Sequence, residues 1–190
     1  MQDNELITGI LNGNAGLFAD LVERYQTGVY RTAYYYTQSV EEAQDITQEI
    51  FLKAFNSLPR FKQSSAFSTW LYRIAVNHCL DWSRKKKPLF IEPASLESRF
   101  DKSVGPEEIL LRQESSVEIQ AAVRSLQEIY RTVLILYYFQ DFSPQQIADI
   151  LDTSKRTIET RLFRARKMLK EKLRLSVLGG DGHDLLSEQG

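Results

Sequence analysis

The chain has 190 residues, 43% hydrophobic and 26% charged, an ordinary balance for one medium folded domain or two small ones. A single cysteine, Cys79, excludes an internal disulfide framework, and with only two histidines neither a metal site nor a cofactor is expected. No run of about 18 or more apolar residues predicts a membrane span, and the acidic start Met1-Gln2-Asp3-Asn4-Glu5 lacks the order of a secretory signal. A reducing cytoplasm is the expected location, with no direct membrane insertion.

The formal net charge of −1 conceals two basic blocks. Residues 1–60 carry −4, residues 61–90 carry +5, residues 91–152 carry −6, residues 153–175 carry +7 and residues 176–190 carry −3. Two short cationic segments in an acidic chain predict two separate contacts with a polyanion. Solvated helix faces are the plainer alternative.

The first segment reads as helical throughout. Asn14 is a candidate N-cap, and Phe18, Leu21, Val22, Tyr25, Val29, Ala33 and Tyr36 step by three or four along one face. A second helix opens at the capping-box pattern Ser39-Val40-Glu41-Glu42, with Ala43, Ile46, Ile50, Phe51 and Phe55 as its buried stripe. Leu58-Pro59-Arg60 ends it, because proline disfavours helical geometry in the preceding residue. In a third helix Phe67, Trp70, Leu71, Ile74, Ala75 and Trp82 face inward, while Arg73, Asn77 and Arg84 share an exposed side. It runs into Arg84-Lys85-Lys86-Lys87 and stops before Pro88.

Pro88, Pro93, Gly105 and Pro106 then break any period, which predicts a linker with a short helix starting near Pro106. Ser125-Leu126-Gln127-Glu128 reads as a capping box ahead of the apolar run from Val133 to Tyr138. Ser143-Pro144-Gln145-Gln146 combines an N-cap, proline at the first helical position and a capping glutamine. Ile147, Ile150 and Leu151 follow, Asp152-Thr153 turns the chain, and Ser154 caps a basic helix with Ile158, Leu162, Ala165 and Leu169 inward. Short helix, turn and basic amphipathic helix form a helix-turn-helix pattern.

The fold class predicted is therefore all-α: two small helical domains joined by a linker, the second containing a helix-turn-helix. The boundaries are 1–90 for the first domain, 91–113 for the linker, 114–176 for the second domain and 177–190 for a disordered tail.

On the second helix Asp45 and Glu49 lie four apart outside the apolar stripe, a like-charge spacing that costs an isolated helix about 0.2–0.5 kcal/mol. A basic partner would offset this. Acids favouring the helix dipole explain Glu41 and Glu42 better than Glu49. Arg73, Arg84 and the following lysines suit phosphate contacts. On the last helix Lys155, Arg156, Glu159, Thr160 and Arg164 lie away from Ile158 and Leu162, where a recognition helix meets base edges. Arg161, Arg166, Lys167 and Lys170 suit phosphate or solvent. Trp70, Trp82, His78 and Cys79 read as packing residues, and His183 lies in the tail. No nucleophile–base pair, phosphate-gripping glycine loop or metal spacing is visible, so the chain is not expected to be an enzyme.

Three stretches carry a family resemblance. Glu42-Ala43-Gln44-Asp45-Ile46-Thr47-Gln48-Glu49-Ile50-Phe51 resembles the polymerase-binding helix of the extracytoplasmic-function sigma factors, in the sigma-seventy family. Phe67-Ser68-Thr69-Trp70-Leu71-Tyr72-Arg73-Ile74-Ala75-Val76-Asn77 is similar to that family's promoter-melting helix. Residues Ile147 to Leu151 and Thr157 to Arg166 resemble its upstream-promoter reader. Together, in matching order, they span residues 15–175.

The resemblance implies a transcription initiation factor with no catalytic residues of its own. Asp45, Gln48 and Glu49 would bind core RNA polymerase at the coiled coil of its largest subunit, with a second contact at the flap region. Phe61, Lys62, Ser65, Ala66, Arg73, Asn77 and Arg84 would take the downstream promoter element, holding a base flipped from the non-template single strand. Lys155, Arg156, Glu159, Thr160, Arg161 and Arg164 would read the upstream element as duplex. Arg156 stands where the family commonly has glycine and Glu159 where it has a basic residue, so a relative's promoter sequence does not transfer. The resemblance further implies a stress or envelope regulon held in check by an anti-sigma factor, membrane-anchored in many relatives.

Two rivals remain at this point. A helix-turn-helix regulator acting alone explains residues 115–175 but gives no role to Asp45, Glu49 or Asn77. A polymerase- or sigma-binding protein without DNA readout is opposed by nine basic residues against two acids in 153–175.

Overall fold

A computed structural model describes residues 1–85 and 119–180, with side chains of the last helix as far as residue 174. The expected linker 91–113, the helix start near Pro106, Lys86, Lys87 and residues 181–190 lie outside the described residues. Among the described residues every regular element is helical. The contacts group the chain into two units, Met1–Pro88 with Ile135–Glu159, and Leu89–Leu134 with Thr160–Gly190.

The first unit begins with α1 (Asp3–Leu11), a 3-10 turn (Ala15–Leu17) and α2 (Phe18–Thr37). Asp3 ties α1 to α2 by accepting from Arg24 and from the Tyr25 hydroxyl. Asn14 precedes the short turn, but its side chain caps nothing. From the expected stripe Leu21, Val29, Ala33 and Tyr36 are buried. Gln38, in the left-handed conformation at φ 57°, closes α2 and lets the chain reverse.

α3 (Val40–Ser57) opens as expected, with Ser39 Oγ accepting from the Glu42 N–H at 3.3 Å. Such a cap is worth about 1 kcal/mol. Ala43, Ile46, Ile50 and Phe51 are buried, but Phe55, expected inside, is 39% exposed. It lies at the far end of α3, where its ring meets Phe18 edge-on at 5.0 Å. A 3-10 turn (Leu58–Arg60) follows where Pro59 was expected to end the helix.

α4 (Phe67–Lys85) has a wider buried surface than its stripe predicts. Phe67, Leu71 and Ala75 are buried as expected, and so are Tyr72, Val76 and Cys79. The extra face comes from long-range packing, for example Tyr72 on Phe142 at 4.8 Å and 73°.

Burial pushes the Cys79 thiol up to about 12, partly offset by a backbone hydrogen bond. Because the thiolate is the nucleophile, the native thiol should resist a chromogenic disulfide reagent at mildly alkaline pH, while urea-unfolded chain releases one equivalent rapidly. The folded state holds the proton, so stability is expected to fall as pH rises above the ordinary thiol range. Reaction of native chain at the unfolded rate would contradict this packing of α4.

The remaining helices are α5, described at 119–124, α6 (Glu128–Leu134), a π-helical turn (Ile135–Phe139), α7 (Pro144–Ile150) and α8 (Lys155–Gly180). Ser125 is not the N-cap that its pattern suggested. Its hydroxyl donates to the Ala122 carbonyl at 2.8 Å, which closes α5, and α6 starts three residues later. The second box holds in full: Ser143 Oγ accepts from the Gln146 N–H, Gln146 Oε1 accepts from the Ser143 N–H, and Pro144 takes the first position. Asp152 adopts φ 49°, a left-handed turn that aspartate tolerates better than most residues. Ser154 Oγ then caps α8 through the Thr157 N–H at 3.1 Å. Ile158, Leu162 and Ala165 are buried along α8, whose backbone stays helical to Gly180, four residues past the expected boundary at 176.

Candidate nucleic-acid interface

The loop between Arg60 and α4 is shaped by its aromatic residues. Phe61 is buried, with its ring 5.0 Å from Trp70 and 6.0 Å from Phe67. Gln63 takes a left-handed φ of 51°, and the Ala66 carbonyl accepts from the Trp70 N–H, starting α4. A cavity of about 460 Å³ opens here, lined by Phe61, Lys62, Ser65, Trp70, Arg73 and Asp149 among others. With Arg60 and Ser64, it offers two aromatic rings, two hydroxyls and three cations beside the single carboxylate of Asp149. Stacking surfaces beside cations are what a single nucleic-acid strand requires.

The structure brings Phe61, Lys62, Ser65 and Arg73 together at this cavity. Ala66, Asn77 and Arg84 are exposed but do not line it. Asn77 lies one turn beyond Arg73, and Arg84 pairs at 3.7 Å with Asp81, both side chains well exposed. Trp70, read from sequence as core, is only half-buried and forms part of the cavity wall. Helical periodicity cannot distinguish a core ring from one lining an open pocket.

Asp45, Gln48 and Glu49 are all exposed on α3. Glu49 Oε2 lies 2.8 Å from His78 Nε2, and Lys53 Nζ lies 2.6 Å from His78 Nδ1. A neutral imidazole protonated on Nε2 satisfies both neighbours, donating to Glu49 and accepting from Lys53. His78 thus clasps α3 to α4 beside Asn77, a role its place on a packed helix did not suggest. The contact joins residues distant in sequence, so no local pattern signals it.

On α8, Lys155, Arg156, Glu159, Thr160 and Arg164 are exposed and Arg161 is half-buried. Lys155 Nζ stands 3.8 Å from Glu159 Oε1, a loose pair on successive turns. Phe163, given no role from sequence, is 70% exposed between Thr160 and Arg164. A large apolar ring left in water on a basic helix fits apolar contact with a partner, such as a thymine methyl group. Its position outside the Ile158–Leu162–Ala165 stripe was the available signal. Among the described residues no group of three or more metal-ligating side chains occurs, and no helix is long and apolar enough to cross a membrane.

Comparison with known proteins defines the class. The models of Sigma-70 region 2 and Sigma-70 region 4 match residues 21–88 and 116–169. The chain belongs to the sigma-70 family of transcription initiation factors, which are not enzymes, and within it to the extracytoplasmic-function group. It is 36% identical to the ECF RNA polymerase sigma factor SigW of Bacillus subtilis, over 92% of this chain and 98% of the relative. Identity is 32% to the RNA polymerase sigma-H factor of Pseudomonas aeruginosa, over 90% of this chain and 94% of that protein. The ECF RNA polymerase sigma-E factor of Escherichia coli K12 is 31% identical, over 91% and 95%.

Solved structures agree on the fold. CnrH in complex with the cytosolic domain of CnrY matches with a TM-score of 0.69 at 23% identity, covering 94% of this chain and 98% of that one. RpoE of Bartonella quintana, in complex with the anti-sigma factor NepR, gives 0.67 at 22% identity, covering 83% and 96%. The match to region 2 leaves the stand-alone helix-turn-helix regulator without support.

Proposed function

We propose that this sigma factor binds core RNA polymerase through Asp45, Gln48 and Glu49 at the coiled coil of the largest subunit, with a second contact at the flap region. Its 61–66 loop and α4 hold a base of the non-template strand at the downstream promoter element, while α8 reads the upstream element as duplex. The observation that carries this reading is the cavity walled by Phe61, Trp70, Lys62, Ser65 and Arg73, whose rings and cations suit an unstacked base and its phosphates. The chain works in the cytoplasm on a stress or envelope regulon. An anti-sigma factor, membrane-anchored in many relatives, is its inhibitor; the solved complex of a protein of the same fold with the anti-sigma factor NepR supports this partner class.

The upstream assignment separates base readers from charge suppliers. Arg164 and Glu159 are assigned to bases, Lys167 and Lys170 to phosphates. Loss of a bidentate base contact costs about 1–3 kcal/mol and relaxes preference at one position. Loss of a phosphate contact weakens all sequences alike and lowers the salt slope by about one. A promoter library transcribed with Arg164→Ala and with Lys170→Ala should show these two behaviours. Unchanged base preference for Arg164→Ala would remove that residue from the reading set.

A further inference from the structure

The His78 clasp reaches a side chain assigned to polymerase. Glu49 and Lys53 stand four residues apart on α3, with the acid nearer the N-terminus, the spacing and order in which two such charges pair best along a helix. The imidazole from α4 meets both of them: Nε2 lies 2.8 Å from Glu49 Oε2, and Nδ1 lies 2.6 Å from Lys53 Nζ. Chemistry fixes the roles of the two ring nitrogens. An ammonium has donors and no acceptor, so Nδ1 carries the lone pair and Nε2 the hydrogen that Glu49 accepts.

The partners differ in freedom. The His78 side chain is 12% exposed and sits beside the buried Cys79, whereas the Glu49 side chain is 61% exposed. An exposed glutamate samples many rotamers, and ordering it at an interface subtracts from affinity. A bond from a ring fixed by its own helix removes part of that freedom in advance. The bond uses Oε2, which leaves Oε1 to an external donor. Without the ring, acid and cation at this spacing would pair with each other, and Glu49 would meet a basic partner already partly neutralised.

We infer that His78 is a positioning residue for polymerase binding: it presets the Glu49 carboxylate for a basic partner and keeps Lys53 from claiming it. This role rests on the assignment of Glu49 to core polymerase. His78 itself need touch no part of that enzyme.

Affinity of the full chain for core polymerase is the measurement, with thermal melting by circular dichroism as the folding control. His78→Ala is expected to weaken binding about 3- to 10-fold, the loss when one side chain is ordered on binding instead of beforehand. His78→Gln should recover most of it, because its amide offers a donor to Glu49 and an acceptor to Lys53. In a Glu49→Ala chain, itself weakened, His78→Ala should cost nothing further. Lys53→Ala should restore affinity in the His78→Ala chain by more than it changes the native one. Should His78→Ala unfold, His78→Leu, which fills the space without either bond, replaces it in every comparison. A loss that persists in full beside Glu49→Ala, or that folded His78→Gln shares, would overturn the positioning role. Undiminished binding by Glu49→Ala alone refutes the assignment of Glu49 to polymerase and the role with it. Weakened binding by Glu49→Ala beside unaltered binding by the folded His78→Ala chain refutes only the role of His78.

Discussion

Asp45→Lys combined with Glu49→Lys is expected to abolish association with core RNA polymerase while leaving the helical fold intact. Both carboxylates are exposed on α3, four residues apart, on the face flanking the buried Ile46 and Ile50. Removing one partner of a close charge pair across an interface costs about 2–5 kcal/mol, a factor of roughly 30 to several thousand in affinity. Reversing two charges should exceed the lower bound comfortably. Glu49 also accepts from His78, and a lysine there would stand against Lys53 and the imidazole. Asp45→Asn with Glu49→Gln therefore serves as a milder companion, because glutamine keeps an acceptor for Nε2 and removes only charge. Pull-down of core enzyme with circular dichroism distinguishes the outcomes. Undiminished binding by the folded lysine variant would sink the assignment of α3.

Asn77→Ala should impair promoter opening far more than closed-complex formation. Asn77 is exposed one turn beyond Arg73, next to the cavity rather than in it. A strand held by its phosphates at Arg73 would pass this amide, which carries both donor and acceptor groups. Extracting a base costs a few kcal/mol of stacking and pairing, which specific contacts must return. Loss of one such contact is worth about 1–3 kcal/mol, so opening should fall roughly 5- to 150-fold. A pre-melted bubble should restore much of the activity. Permanganate reactivity of unpaired thymines, beside polymerase binding at the same promoter, reads both steps. Normal melting with altered duplex binding would mean that α4 reads closed DNA.

Much of this architecture was legible because it is written locally. The caps at Ser39, Ser143 and Ser154, the proline at position 144 and the left-handed Asp152 each depend on neighbours within about a turn, so spacing alone reveals them. Ser125 shows the limit: serine three residues before glutamate fits both the close of one helix and the start of the next, and only hydrogen bonding chooses. The fate of large apolar side chains was less legible. Phe55 and Phe163 are exposed and Tyr72 is buried because distant segments decide which helix faces are covered. The same holds for the candidate site. Exposed charges on α3, α4 and α8 follow from periodicity, whereas the cavity, the His78 clasp and the Asp149 wall arise from tertiary contacts.

This chain confers promoter recognition on polymerase rather than modifying a polymerase that already has it. Purified chain should be added to core enzyme free of any other sigma factor, and the transcripts from a library of genomic promoter fragments sequenced. Start sites are expected that appear only with the chain present, share an upstream and a downstream element, and vanish with Asp45→Lys/Glu49→Lys. Transcripts that require a second sigma factor, or initiation without a shared element, would contradict that role.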